Sequence, residues 1–217
     1  MLEKLPEGLG HALVNQRAGM VKVVYNQLHG ARDTARLDVS STAFGFNGRL
    51  PARYTADGEG ISPPLAWDNC PANAASIAIL VEDADSPTPH PLVHAIVVDI
   101  PPGVRSIPEG ALNSRRIDGI ELGIGSNSFF EHAWMPPDPP PGHGEHRYVF
   151  QVFALRAGAP FSKSVGRREF IKVVLDRAIA AGCLIGTYER SSPPEMATDD
   201  ALRVARAAFS CHAENAG

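Results

Sequence analysis

Residues 136–155, PPDPPPGHGEHRYVFQVFAL, constrain the fold more than any other stretch of the chain. Pro136, Pro137, Pro139, Pro140 and Pro141 lack a backbone N–H and have fixed φ, so the first half can be neither helix nor central strand. It is expected to be a stiff, exposed loop with polyproline II character. The second half, RYVFQVFAL, is rich in aromatic and β-branched residues and reads as a buried strand. Alternate residues of a strand share a face, so His146 and Tyr148 point one way and Arg147 the other. A rigid loop thus brings two polar side chains to one spot at a strand's mouth, which suits the holding of a small polar group.

The 217 residues suffice for one large domain with a real core. Hydrophobic residues make up 44% and charged residues 20%, an ordinary globular balance. A net charge of −4 argues against a general nucleic-acid surface. With 19 Pro and 20 Gly, many turns and short strands are favoured over a helical bundle. Cys70, Cys183 and Cys211 match neither a zinc site nor a disulfide framework, and are read as reduced, partly buried thiols. The opening MLEKLPEG is interrupted by Glu3, Pro6 and Glu7, so it is not read as a signal peptide. The apolar runs are too short for a membrane-spanning helix. A soluble, cytoplasmic protein with no stable membrane insertion is expected.

Along the chain, residues 7–28 carry Leu9, Leu13, Met20, Val24 and Leu28 at roughly helical spacing. Residues 37–42 alternate like a first strand. Residues 44–67 contain Asn47-Gly48, Asp57-Gly58 and Ser62-Pro63-Pro64, and read as an Ω-type loop or a binding rim. Residues 76–82 and 92–99 read as buried strands separated by an acidic, proline-broken loop. In the second of these, His94, Ile96 and Val98 are expected on one face. Residues 105–113 read as loop, and 119–126 as loop or weak strand. Residues 166–181 form the clearest helix, with Phe170, Ile171, Val174, Leu175, Ala178 and Ile179 in one stripe, Ser164 capping its start and Gly182 its end. A short strand over 184–188 and a terminal helix over 198–209 complete the reading. The fold class expected is mainly β, an antiparallel β-sandwich with peripheral helices. It divides into an N-terminal helical extension (1–36), the sandwich (37–190) and a C-terminal helical extension (191–217).

Chemistry-bearing residues fall at three strand ends. Asp83 and Asp85 follow one buried strand and in extended chain point the same way. His94 opens the next strand, and hairpin-like pairing would bring one of the aspartates near it. His146 and Tyr148 open the third. Imidazoles and a phenol O–H can hold a phosphate or carboxylate oxygen, while an aspartate can hold an ammonium or accept from a singly protonated phosphate. The mixture suits a small zwitterionic or monoanionic phosphate head group. His143, His146, Asp83 and Asp85 lack metal-ligand spacing, no glycine-rich phosphate loop is present, and Gly123-Ile124-Gly125-Ser126 is not a nucleophile elbow. Neither a metal nor a cofactor is expected.

Several segments together resemble the phosphatidylethanolamine-binding protein family, in its bacterial, Raf kinase inhibitor-like YbhB/YbcL branch. They are YTADGEGISPPLAW (54–67), VEDADSP (81–87), LVHAIVVDIP (92–101), the proline-rich stretch through HRY, and GCLIGTYER (182–190). The resemblance implies an antiparallel sandwich with a small anion-binding pocket. It carries the pocket onto Asp83, Asp85, His94, His146 and Tyr148, with Pro87, Pro139 and Pro140 at the rim. It also implies a non-catalytic binder of phosphate-bearing head groups, with a protein partner in a regulatory role. Ala84, Ser86, Ala95 and Asp138 depart from the family pattern, and Asp138 would weaken affinity for a dianion if it faces the pocket.

Three functions follow as expectations: a phosphate or phospholipid-head-group binder, a hydrolase of small phospho- or carboxy-esters using the Asp/His cluster, and an interaction scaffold with a vestigial pocket. The terminal extensions are expected to pack as helices on the sandwich or to build a homodimer.

Overall fold

The computed structural model describes residues 11–31 and 34–190. In chain order its strands are β1 (Ala35–Arg36), β2 (Asp38–Ser40), β3 (Gly48–Arg49), β4 (Leu65–Asp68), β5 (Ser76–Asp83), β6 (Leu92–Ile100), β7 (Ser106–Ile107), β8 (Arg116–Ile117), β9 (Ile120–Glu121), β10 (Gly123–Ile124), β11 (His146–Leu155) and β12 (Ala178–Tyr188). Among the described residues these are accompanied by α1 (Val24–Ala31), α2 (Ala111–Ser114) and α3 (Arg167–Arg177), and residues 11–13 are also helical.

The large sheet runs β1-β12-β11-β5-β6-β10, with β3 also on the outer side of β12. Its centre is antiparallel, but β1 and β3 lie parallel to β12. The sheet is therefore mixed, in place of the antiparallel arrangement expected. A smaller antiparallel sheet, β2-β4-β7, stands apart from it, as does the β8-β9 pair.

Apolar residues explain the layering. Ile77, Ile79, Val81, Phe150 and Val152 on one face of the large sheet share a core with Leu65, Trp67 and Ile107 of the small sheet. The other face, through Ala78, Leu80, Val93, Phe153 and Leu155, packs under Val24 and Leu28 of α1 and Phe170 and Val174 of α3. Strands β5 and β11 are buried on both faces, which is why their sequences read as continuous apolar runs.

Expectations for four segments are corrected. The helix expected over 7–28 is broken among the described residues: Gly19 takes φ +93, a 3-10 turn spans Met20–Lys22, and α1 begins only at Val24. Sheet side chains fix that start, because buried Glu82 accepts from the Val24 N–H at 3.0 Å and Gln151 from the Tyr25 N–H at 2.7 Å. The strand expected over 37–42 is shorter, β2 (Asp38–Ser40), and β1 precedes it in the large sheet across the buried Leu37. The region 105–113 contains β7 and the start of α2.

The helix expected over 166–181 ends at Arg177, and Ala178 turns to extended backbone (ψ 129). The stripe from Phe170 to Ile179 therefore merges two elements, since Ala178 and Ile179 already belong to β12. No side-chain cap from Ser164 is formed, and the N-cap position is Gly166. Gly182 is not a helix end. It lies inside β12, where a Cβ would stand 2.1 Å from the Leu37 carbonyl oxygen. Glycine is required there by backbone approach. The terminal helix expected over 198–209 lies outside the described residues.

Gly182→Ala forces β1 and the Leu37 junction away from β12. A loss of stability of about 3 kcal/mol is expected, read as a lowered urea midpoint. An unchanged midpoint would mean that the two backbones are not in contact.

Candidate functional site

The site is set by a one-residue bulge. Val81 pairs with Ala95 but Glu82 pairs with Val93, leaving His94 as the extra residue of β6. The bulge reverses the alternation. Val93, Ile96 and Val98 pack on the helix-covered side, while His94 turns to the face that carries Tyr148 and Trp134. The expectation that His94 shares a face with Ile96 and Val98 is thereby corrected. On that face His94 meets Tyr148 edge-on, with ring centroids 5.1 Å apart. Tyr148 lies opposite Asp83 in the β11–β5 pairing.

Asp83, His94, Leu92, Ala56, Phe129, Glu131, Met135, Pro136 and Asp138 line a cavity of about 180 Å³. Of residues 44–67, read as an Ω-type loop or a binding rim, Ala56 lines the cavity, and its N–H donates to Pro137 O at 2.9 Å. The floor is polar and the walls are largely apolar. His94 is 3% exposed and its Nδ1 lies 2.7 Å from Met135 O, so Nδ1 carries the proton and Nε2 keeps a lone pair. Burial holds this imidazole below its ordinary pKa, against the nearby Asp83 carboxylate, so it is neutral at pH 7. His94 Nε2 and the Tyr148 hydroxyl are buried with no partner among the described residues. Burial, then the Asp83 charge, pushes the Tyr148 hydroxyl well above the usual range, so it remains a proton donor.

The two aspartates are not equivalent. Strand β5 ends at Asp83, and Asp85 donates its N–H to Asp83 Oδ1 at 2.8 Å in a turn. Asp83 faces inward and Oδ2 lies 2.7 Å from His146 Nδ1. Asp85 is buried away from the cavity. It accepts from Arg147 Nε and Nη2 at 2.7 Å each and from the Arg147 N–H at 2.9 Å, and it pairs with Arg17 at 3.0 Å. Its expected place in the pocket is therefore corrected, because the chain leaves extended geometry before reaching it. Burial raises the Asp85 carboxyl, but the bonds from Arg147 and Arg17 outweigh burial and hold it below its ordinary value.

His146 and Tyr148 do share a face, as expected, with rings 6.3 Å apart, but both lie behind the cavity wall rather than on its surface. Of the prolines expected at the rim, Pro139 and Pro140 are buried, and neither they nor Pro87 lines the cavity. Pro136 and Asp138 take that place. Asp138 lines the cavity and pairs with Arg190, which it shares with Asp57: Nη1 lies 2.7 Å from Asp138 Oδ1, while Nε and Nη2 donate to Asp57.

Sequence reading did not assign Arg17, Arg190, Phe129, Glu131 or Met135 to the site. Arg190 stands next to the GTYE strand end, but its partner Asp57 is 133 positions away. Phe129 and Phe130 are exposed beside the cavity, with Phe130 at φ +64. Buried Asn127 holds their turn by accepting from the Phe129 and Glu131 N–H groups.

A mixed β-sheet packed on a smaller sheet, with a small cavity at the mouths of β5, β6 and β11, defines a β-protein with a pocket in which Asp83 and His94 stand among largely apolar walls. The model of the phosphatidylethanolamine-binding protein family matches residues 40–189, and the chain belongs to that family. It is 38% identical over 162 residues to UPF0098 protein PH1269 of Pyrococcus horikoshii, covering 74% of this chain and 80% of that one. UPF0098 protein MT1961 of Mycobacterium tuberculosis is 37% identical over 153 residues, 70% of each chain. Among solved structures, the putative PEBP homologue CT736 of Chlamydia trachomatis superposes with a TM-score of 0.64 at 31% identity, over 72% of this chain and 99% of that one. YbcL of Escherichia coli does so at 0.65 and 27%, with the same coverage. No helix among the described residues is long and apolar enough to cross a membrane.

Asp85→Asn leaves Arg147 and Arg17 without their buried counter-charge. A loss of about 2–4 kcal/mol in urea unfolding at pH 7 is expected. The folded pKa is depressed, so the wild-type advantage is present above the unfolded value of about 4 and fades as pH falls through the folded value. A deficit that stays constant down to pH 2.5 would contradict the assignment.

Proposed function

We propose that this protein is a non-catalytic binder of a small molecule bearing a phosphate head group, taken as a zwitterion or a singly protonated monoanion. The supporting observation is the cavity lining of Asp83 and His94, whose Nε2 is buried without a partner among the described residues, with the Tyr148 hydroxyl, likewise unpartnered among them, just behind the wall. Burying such groups unpaired costs about 1–3 kcal/mol each, which a ligand's hydrogen bonds offset. The acceptor-rich floor, with the His94 Nε2 lone pair and carboxyl oxygens at Asp83 and Asp138, favours a ligand that brings its own proton. A protonated phosphate oxygen or an ammonium group does so, and a phosphate dianion does not. Apolar walls at Leu92, Phe129, Met135 and Pro136 accommodate a short carbon chain attached to the head group.

The hydrolase reading finds less support. The described residues lining the cavity include no serine, threonine or cysteine. His146 is an unsuitable general base, since both its ring nitrogens are already engaged.

Phosphoethanolamine titration followed by amide NMR tests the proposal. Shifts are expected at Asp83, His94, Phe129 and Met135. Affinity should rise as pH falls from 8 to 5.5 and the phosphate gains its second proton near pH 6. His94→Ala is expected to weaken binding about tenfold, the loss of one charge-assisted hydrogen bond. Wild-type affinity in that variant would overturn the assignment of the floor.

A further inference from the structure

Behind the cavity runs a chain of three short contacts. Asp83 Oδ2 is 2.7 Å from His146 Nδ1, and His146 Nε2 is 2.6 Å from His143 Nδ1. His143 Nε2 is 2.8 Å from Leu13 O and 3.2 Å from Gln16 O. His143 and His146 are almost completely buried. The end of the chain is a segment outside the family match, residues 11–23, strapped across the back of the site. It is held by Ala18 N–H to Ser86 O, Gly19 N–H to Ala84 O, and Arg17 to the carbonyls of His143 and Glu145.

Counting protons along the chain constrains its charge. A carbonyl cannot donate, so His143 Nε2 must carry a proton. Two nitrogens 2.6 Å apart need one proton between them, since none sets lone pair against lone pair and two set N–H against N–H. The same holds for His146 Nδ1 and Asp83 Oδ2. Three contacts therefore hold three protons, one more than two neutral imidazoles and a carboxylate contain. Wherever the extra proton sits, Asp83, His146 and His143 together are neutral.

We propose that His143, anchored by the N-terminal strap, is a positioning residue that keeps one extra proton on the Asp83–His146 pair and so removes the negative charge of Asp83 from the pocket floor. The charged groups facing the chain agree with this. Arg17 lies beside His143 and disfavours a second proton there. Asp83 Oδ2 faces His146 Nδ1 at 2.7 Å. Neutral His94 and the un-ionised Tyr148 hydroxyl add no charge to the floor, and Arg190, shared between Asp57 and Asp138, offsets part of the Asp138 charge. Burial, and then the neighbouring His146, push His143 below its ordinary pKa, which places the extra proton toward Asp83. The pocket thus accepts a monoanion although two aspartates line it. The proton count stands on geometry alone, and only its effect on ligand choice rests on the head-group reading above.

The test has a ligand-free and a ligand-bound arm. In the ligand-free wild-type protein, ring-nitrogen NMR between pH 6 and 8 should show His143 with its proton on Nε2, and bonded protons in both the His143–His146 and His146–Asp83 contacts. A His146 nitrogen without a shared proton across that range would overturn the proposal. His143→Phe should leave His146 singly protonated, expose a full charge on Asp83, and weaken inorganic phosphate binding on the order of tenfold. His143→Gln can both donate to Leu13 O and accept from His146, so it should restore binding to within about threefold. His146 signals unchanged in His143→Phe would also overturn the proposal. If the three-proton pattern is present but phosphate and phosphoethanolamine do not bind the wild type, the head-group reading fails and the proton assignment stands.

Discussion

The site depends on one extra residue in β6. Without the bulge at His94, the alternation of β6 would send that side chain under α1 and α3 with Ile96 and Val98, into an apolar layer that offers an imidazole no partner. With it, three neighbouring strands present Asp83, His94 and Tyr148 to the same face. The bulge is held from outside the strand, since Met135 donates its N–H to His94 O at 2.9 Å and its carbonyl faces His94 Nδ1. The stretch leading into the proline run is therefore what fixes the position and tautomer of the cavity's histidine. The stiffness of five nearby prolines lowers the entropy lost in holding it there.

Charge management forms a second layer around this geometry. Several carboxylates sit in or close to the pocket, and Arg190 is shared between two of them, Asp57 and Asp138. Asp85 is matched by Arg147 and Arg17, Asp138 by Arg190, and Asp83 by the proton shared with His146, while Glu131 lies on the exposed rim. Glu82, fully buried on the opposite face, is matched by Arg167 and by the N-terminus of α1. Buried charges of this kind contribute little net stability but penalise alternative arrangements heavily when one partner is lost. Two of the counterweights, Arg17 and the start of α1, come from the N-terminal segment that the family match omits, so that segment completes the fold electrostatically.

Much of this was legible in the sequence. Strands β5, β6 and β11 were visible as apolar runs, β12 only in its last residues, and HRYVFQVFAL placed His146 and Tyr148 on one face correctly. Turn residues in 44–67 marked a loop or rim, of which Ala56 lines the cavity. The failures have specific physical causes. Alternation cannot reveal a bulge, so His94 was assigned to the wrong face. Two carboxylates two residues apart share a face only in extended chain, and β5 ends at the first of them. Alanines are compatible with helix and strand alike, so the boundary between α3 and β12 was invisible until pairing with β11 imposed it. Gly182 carried the usual signal of a helix stop, yet the reason for glycine there is a neighbouring backbone. Long-range partners such as Asp57–Arg190 and Arg17–Asp85 leave no local trace at all.

A crystal structure of the full chain soaked with phosphoethanolamine tests the central claim most directly. The expected result is a head group within hydrogen-bonding distance of His94 Nε2 and the Tyr148 hydroxyl, with its carbon chain against Phe129 and Met135. An empty cavity at saturating ligand, or a head group bound elsewhere on the surface, would contradict it.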